Sequence, residues 1–233
     1  MGIIKLESKP AKFCPGCGYY MILNSLGKVL EEKGLAEKSV FMTDIGCNLL
    51  AWDYFNLPTT QTHHGRTIAT ATGYKLVSPD NILCCLIGDG GGYAIGLQNL
   101  IHACLRDTAI TVIVANNLDY SMTGGQVSPT TLENQKTDST PFGKRTKVQG
   151  QTLYGPELLT KVASKDAYLA RTSSRKPQEI IQFLDKAIET QKSGHFSLVE
   201  VISACPVNWR LEGITLMERM EELEKIIPQG EIK

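Results

Sequence analysis

The chain has no surplus of either charge: Lys plus Arg and Asp plus Glu number 24 each, so the formal net charge at pH 7 is zero. Without a basic excess there is no electrostatic footprint for nucleic acid, and without a charge block there is no interaction tail. Long hydrophobic runs are missing too. No stretch approaches the ~18 consecutive apolar residues of a membrane-spanning helix. Met1 to Lys9 carries charges and no apolar signal-peptide core. The expectation is a cytoplasmic protein with no membrane and no nucleic-acid partner. Repeats and low-complexity linkers are also absent, and 233 residues can bury one substantial core, so a single domain over residues 1–233 is expected.

Cysteine, by contrast, is plentiful: there are seven, an odd number. In a reducing compartment they are not a disulfide framework, which leaves metal binding or core packing. Cys84, Cys85 and Cys104 sit in apolar periodic segments, where a free Cys packs as a small hydrophobe. Cys84 and Cys85, adjacent on a strand, point to opposite faces and cannot form a site together. Cys14, Cys17, Cys47 and Cys205 sit beside Gly and Pro in loops or at element ends, and call for a chemical explanation.

Periodicity gives alternating elements. Helical spacing runs through residues 19–33 and stops at Gly34; residues 39–45 read as a strand ending in Gly46-Cys47; residues 67–77 read as a helix before Pro79. Residues 82–87 are continuously apolar, the pattern of a strand buried on both faces, and residues 110–115, apolar but for Thr111, read as a second buried strand. A helix follows Gly88-Asp89-Gly90-Gly91-Gly92. Residues 123–150 are polar and aperiodic, a long loop. A strand (167–170), a helix (177–190), a strand (196–201) and an amphipathic helix (215–226) complete the chain. The expected fold class is α/β, a mostly parallel sheet with helices on both faces. Ligands of such sheets bind at the carboxyl ends of the strands. Gly46-Cys47, Gly88-Asp89-Gly90, Asn116-Asn117 and Cys205 all fall there.

A glycine-rich turn between strand and helix lets phosphate approach backbone N–H groups. An Asp within that turn repels phosphate unless a divalent cation lies between them. Mg²⁺ takes carboxylate, other oxygen and phosphate ligands near-octahedrally. Asp89, the amide oxygen of Asn117 and the backbone carbonyl of Asp119 would supply the protein's share. Gly-Asp-Gly followed about thirty residues later by Asn-Asn is the spacing of one crossover helix plus one strand, and it resembles the thiamine diphosphate fingerprint. Cys14-Pro15-Gly16-Cys17 is a C-x-x-C turn. With Cys47 and Cys205 it makes four thiolates, which suit Zn²⁺ or a [4Fe–4S] cluster alike.

Taken together these segments resemble a known family. Cys14-Pro-Gly-Cys-Gly18, Asp44-Ile-Gly-Cys47, His64-Gly-Arg66, Gly88-Asp-Gly90, Asn116-Asn117, Tyr120-Ser-Met-Thr-Gly-Gly-Gln126, Ser128-Pro-Thr-Thr131 and Cys205-Pro-Val-Asn-Trp209 spread over most of the chain. In that order they resemble the thiamine diphosphate-binding (beta) subunit of 2-oxoacid:ferredoxin oxidoreductases. The resemblance implies a thiamine diphosphate-binding fold and one [4Fe–4S] cluster on Cys14, Cys17, Cys47 and Cys205. It implies Mg²⁺ on Asp89, Asn117 and the carbonyl of Asp119. The cofactor contacts it implies are Gly46, Cys47, Asn48, His64, Gly65, Gly88, Asp89, Gly90, Gly91, Asn117, Tyr120, Met122 and Thr123. The implied reaction converts a 2-oxoacid and coenzyme A to acyl-CoA, with electrons leaving through iron–sulfur clusters to ferredoxin. Thiamine activation needs a Glu, normally from another domain, and nothing here marks one. Alpha and other subunits are therefore expected partners. Trp209, after the fourth cysteine, is expected to shield the cluster.

Met122 stands where pyruvate-specific members usually carry Asn. The segment Asn48-Leu49-Leu50-Ala51-Trp52 and Met122 offer no cation, which favours an apolar or branched-chain 2-oxoacid over 2-oxoglutarate or pyruvate. Arg66 suits either a substrate carboxylate or a surface ion pair. Two rivals stand beside this expectation: a non-redox thiamine-dependent decarboxylase subunit with structural zinc, and a cluster-bearing electron-transfer subunit without chemistry.

Overall fold

The two apolar runs lie side by side at the centre of a seven-stranded sheet. In this computed structural model the described residues are 2–5 and 12–233; Met1 and residues 6–11, which carry part of the amino-terminal reading, lie outside them. The strands are β1 (Ser39–Thr43), β2 (Thr59–Gln61), β3 (Ile82–Gly88), β4 (Thr111–Asn116), β5 (Tyr168–Ser173), β6 (Ser197–Ile202) and β7 (Gly230–Glu231). Their order is β2-β1-β3-β4-β6-β5-β7, and every pairing is parallel except that of β7 with β5. Parallel neighbours require crossovers, and the helices between them cover both faces. α1 (Tyr19–Glu32) and α6 (Pro177–Lys192) pack on one face, α2 (Thr67–Val77) and α3 (Leu97–Leu105) on the other.

Period-two alternation sorts β3 between these layers. Ile82, Cys84 and Leu86 join the α1/α6 core, while Leu83, Cys85 and Ile87 join the α2/α3 core. Cys104, on α3, packs in the second core, so the three apolar cysteines are core residues. A third cluster forms where α8 (Gly213–Ile226) lays Leu216, Met220 and Leu223 against Leu118, Leu132 and Ile202. Among the described residues no helix is long and apolar enough to cross a membrane.

Several short elements differ from the periodicity reading. The helix after the glycine turn starts as a π-helical turn, Gly91–Ile95, and breaks at Gly96 before α3. The 123–150 loop is bounded by a 3₁₀ turn (Ser121–Thr123) and contains α4 (Thr146–Gln149); α5 (Gly155–Leu159) follows. Cys205 is followed directly by α7 (Pro206–Trp209). These elements are four or five residues or fewer, too short for a period to register.

One buried charge in the sheet has a large expected effect. Arg171 on β5 stands opposite Glu200 on β6, and both side chains are fully buried. The guanidinium donates to Glu200 at 2.5 Å, bidentately to Glu157 at 2.5 and 2.6 Å, and to the Pro228 carbonyl at 2.9 Å. It thereby ties β5, β6, α5 and the chain's last turn together. Arg171→Ala strands Glu200 without a countercharge, and the expected loss is about 3–5 kcal/mol. A urea titration reads that loss as a lowered midpoint. In the double variant Arg171→Met, Glu200→Leu most of it should return.

Candidate active site

The carboxyl ends of β1, β3 and β4 open into one cleft of about 270 Å³. The strand ends deliver its residues in sequence blocks: Ile45 to Asn48 after β1, Gly88 to Gly91 after β3, and Asn117 with Asp119 to Thr123 after β4. Tyr19 and His64 close the sides. Of the residues expected to contact a cofactor, all but Gly65 line this wall. Gly65 is buried behind it, because its N–H donates to Asp44 Oδ1 at 2.7 Å. Tyr19, Ile45 and Ser121 were not foreseen. Ser121 fell inside a quoted motif without a role, whereas Tyr19 follows Cys17-Gly18 and carries no signal of its own.

The backbone at the turns is shaped for close approach. Gly46 has φ 130°, which a side chain rarely adopts. A Cβ on Gly91 would stand 1.8 Å from Asp44 Oδ2, so only glycine passes over that buried carboxylate. Asn48 is buried and donates to the Leu86 carbonyl at 3.2 Å, while its Oδ1 has no hydrogen-bond partner among the described residues. A buried acceptor left open at a cleft wall is a place for a ligand donor.

Three oxygens converge at the cleft floor. Asn117 Oδ1 lies 3.3 Å from Asp89 Oδ1 and 2.9 Å from the Asp119 carbonyl, with no proton between them. Turning the amide over would put an N–H there. It would also leave Ser121 Oγ, with one proton, facing two acceptors. As placed, Asn117 Nδ2 donates to Ser121 Oγ at 2.5 Å, and Ser121 Oγ donates in turn to Asp119 Oδ1. That chain is consistent in every proton, so the oxygen faces inward. Leu118 between the two ligands has φ 64°, a strained value for a Leu, and this bend returns the Asp119 carbonyl towards Asn117. The Asn116 side chain accepts the Leu118 N–H at 3.1 Å and holds the bend.

Asp89 is held from behind. Its Oδ2 accepts from Ser128 Oγ at 2.7 Å and Thr130 Oγ1 at 2.6 Å, which leaves Oδ1 for the convergence. Burial raises its carboxyl to about 7, against the pull of these hydroxyls, and Asp119 is likewise raised to about 6 by burial. Two buried carboxylates pushed up despite these donors are what a divalent cation would relieve. The three oxygens are the donor set that Mg²⁺ prefers.

The four loop cysteines gather beside this floor. Burial raises the Cys17 and Cys47 thiols to about 12; Cys47, Cys205 and Cys14 add to the shift at Cys17, and Cys205 and Cys14 to that at Cys47. Burial also raises Cys205, with Asp119 and Cys14 contributing. Its Sγ lies 3.4 Å from Ser121 Oγ. Among the described residues no three His, Cys, Asp or Glu side chains close to the spacing of a single metal ion. The four thiols influence one another's titration and so share one electrostatic environment.

Trp209 does something that was not expected of it. Its Nε1 donates to the Asn117 carbonyl at 3.0 Å, and Asn208 donates to the Ser121 carbonyl at 2.9 Å. The turn after Cys205 therefore braces the Asn117–Ser121 loop. Arg66 is exposed, donates to the Gly65 carbonyl at 3.5 Å and does not line the cleft. Leu49, Leu50 and Trp52 are also outside the wall; the 3₁₀ helix Cys47–Ala51 turns them away and only Cys47 and Asn48 of that helix reach it. The apolar contacts come from Ile45 and Met122 instead.

Residues 44–201 match the family described as thiamine pyrophosphate enzyme, C-terminal TPP binding domain. The chain is 34% identical over 222 residues to the 2-oxoglutarate synthase subunit KorB of Archaeoglobus fulgidus, a match covering 94% of this chain and 79% of that protein. The chain belongs to the thiamine diphosphate-binding beta-subunit family of the 2-oxoacid:ferredoxin oxidoreductases. Within that family it is also 34% identical to the ketoisovalerate oxidoreductase subunit VorA of Methanothermobacter thermautotrophicus, covering 93% of this chain and 46% of that one. Among solved structures it resembles a 2-oxoglutarate:ferredoxin oxidoreductase from Magnetococcus marinus with 2-oxoglutarate, coenzyme A and succinyl-CoA bound. That match has a TM-score of 0.82 at 25% identity and covers 95% of this chain and 72% of the other. The chain is thus a subunit of a thiamine diphosphate-dependent, multi-subunit oxidoreductase.

Proposed function

We propose that this chain supplies the diphosphate side of the thiamine site and the cluster nearest to it in an enzyme that oxidatively decarboxylates a 2-oxoacid to acyl-CoA and passes electrons to ferredoxin. The observation that supports it is the triple oxygen convergence of Asp89, Asn117 and Asp119, set within reach of four unpaired loop thiols. Asp89 Oδ1, Asn117 Oδ1 and the Asp119 carbonyl would hold Mg²⁺. The N–H groups of the glycine turn after β3 would face the diphosphate. Cys14, Cys17, Cys47 and Cys205 would hold one [4Fe–4S] cluster. Thiamine diphosphate, when bound, supplies the carbon nucleophile and the electron sink for loss of CO₂.

This chain's residues would bind and orient the cofactor and exclude water; among the described residues no Glu lines the cleft, and the activating Glu is expected from a partner subunit. Other subunits would complete the coenzyme A site and the electron path. The cytoplasm, where thiols stay reduced, suits seven free cysteines. Relatives named for 2-oxoglutarate and for ketoisovalerate are equally similar, so relatedness does not choose the substrate. The wall does bear on it: among the described residues Ile45 and Met122 face the cleft and no Lys or Arg does, which favours an apolar or branched-chain 2-oxoacid.

Anaerobic co-expression with the partner subunits, followed by metal and thiamine analysis, tests the reading. About four irons and one thiamine per chain are expected. Zinc in place of iron would point to a non-redox decarboxylase, and iron without thiamine to an electron-transfer subunit. On the same complex kcat/KM for 2-oxoisovalerate should exceed that for pyruvate and 2-oxoglutarate. A preference for 2-oxoglutarate would place a cation of the partner subunit in the pocket.

A further inference from the structure

The cleft poses an electrostatic problem that its oxygens do not solve. Among the described residues its lining contains two carboxylates, Asp89 and Asp119, and neither Lys nor Arg, and the one lining side chain able to carry positive charge is His64. Behind His64 lies Asp44, at the end of β1 and fully buried. Asp44 Oδ1 accepts the Gly65 N–H at 2.7 Å, but Oδ2 has no hydrogen-bond partner among the described residues. The nearest candidate donor is His64 Nδ1, at 3.3 Å. Gly91 passes over the same oxygen without a side chain, so nothing else covers it from the turn.

We propose that Asp44 is a positioning residue that holds His64 with Nδ1–H on its Oδ2 and Nε2 at the cleft, so that the His64 imidazolium is the charged donor this chain offers to an anionic diphosphate. The inference rests on the thiamine diphosphate reading above. It follows from the proton inventory of imidazole. A ring that gives Nδ1–H to a carboxylate can donate from Nε2 only if it carries both protons, and a buried carboxylate partner stabilises that form. The His64–Asp44 pair would then offset part of the negative charge that Asp89 and Asp119 place around the diphosphate. A purely structural Asp44, present only to anchor the Gly65 N–H, would have no need of a second oxygen without a donor.

Asp44→Asn separates these roles, because its Oδ1 still accepts the Gly65 N–H while its amide presents an N–H to His64 Nδ1. The assembled complex, with this chain carrying ¹⁵N-histidine and its partners unlabelled, is titrated with thiamine diphosphate at saturating Mg²⁺. Only four histidines contribute signals, and His64→Gln assigns the one in question. In the loaded wild type both His64 ring nitrogens should be protonated. In Asp44→Asn one should lose its proton, and the dissociation constant should rise about tenfold, the scale of a lost orienting partner. His64→Gln, at a side chain 42% exposed and so of small consequence for folding, should weaken binding to the same degree, and the double variant no further. Unchanged ring signals and affinity in Asp44→Asn would overturn the proposal while leaving the cofactor reading intact. A wild-type complex that takes up no thiamine diphosphate would overturn both.

Discussion

Asp89→Asn is expected to abolish Mg²⁺-dependent binding of thiamine diphosphate while leaving the fold in place. The asparagine keeps the shape and still offers an oxygen to the Ser128 and Thr130 hydroxyls, which hold the native carboxylate at 2.7 and 2.6 Å. What it removes is the charge at the point where three oxygens meet. Outer-shell partners of a metal site are worth about 10–100-fold in affinity. A direct ligand carrying the only formal charge among the three should exceed that, so the dissociation constant should rise more than ~100-fold. Isothermal titration of the assembled complex with thiamine diphosphate, with and without Mg²⁺, measures it. Ser128→Ala, which loosens the carboxylate without removing it, should lie between the variant and the wild type. Tight, Mg²⁺-independent binding to Asp89→Asn would show that the convergence at Asn117 is not a cation site.

If Cys205 holds the proposed iron–sulfur cluster, replacing it with Ala should remove the cluster's visible absorbance and the oxidoreductase activity together. Cys205 follows β6, whereas Cys14 and Cys17 lie before α1 and Cys47 after β1, so three separated segments must meet for four thiolates to converge. Burial raises the thiols of Cys17 and Cys47 to about 12, which makes them poor nucleophiles unless a metal draws off their protons. Loss of one corner leaves iron exposed to solvent and to exchange. Cys84→Ala is the control: Cys84 is buried in the α1/α6 core and should cost only packing. Iron per chain and the absorbance spectrum, both taken anaerobically, read the result. An intact cluster in Cys205→Ala, or its loss in Cys84→Ala, would reassign the ligands. The same substitution tests the bracing role of the following turn, since Trp209 and Asn208 hold the Asn117–Ser121 loop and thiamine diphosphate affinity should fall where they are displaced.

Much of this protein can be read from its sequence because the physics involved is local or periodic. The short, β-branched-rich apolar runs before Gly88 and Asn116 read as strands covered on both faces, and they are β3 and β4 at the sheet's centre. The glycine turn and the Asn pair one crossover later are legible by spacing as neighbours at one sheet edge, and the turn and Asn117 line one cleft. Short elements escaped because three to five residues do not complete a period; the π-helical turn at Gly91 and the strand β2 are examples.

Only the tertiary structure decided which neighbours in space complete the site. Ser128 and Thr130 reach back across a loop to Asp89, Tyr19 closes a wall from the start of α1, and Trp209 grips the Asn117 carbonyl from 92 positions away. It also turned Leu49, Leu50 and Trp52 out of the cleft, since a 3₁₀ helix rather than an extended chain follows Cys47. No pattern in the chain pairs Asp44 with His64. They meet because a parallel sheet places the end of β1 beside the loop entering α2, and parallel pairing is fixed by burial of whole faces rather than by any local signal.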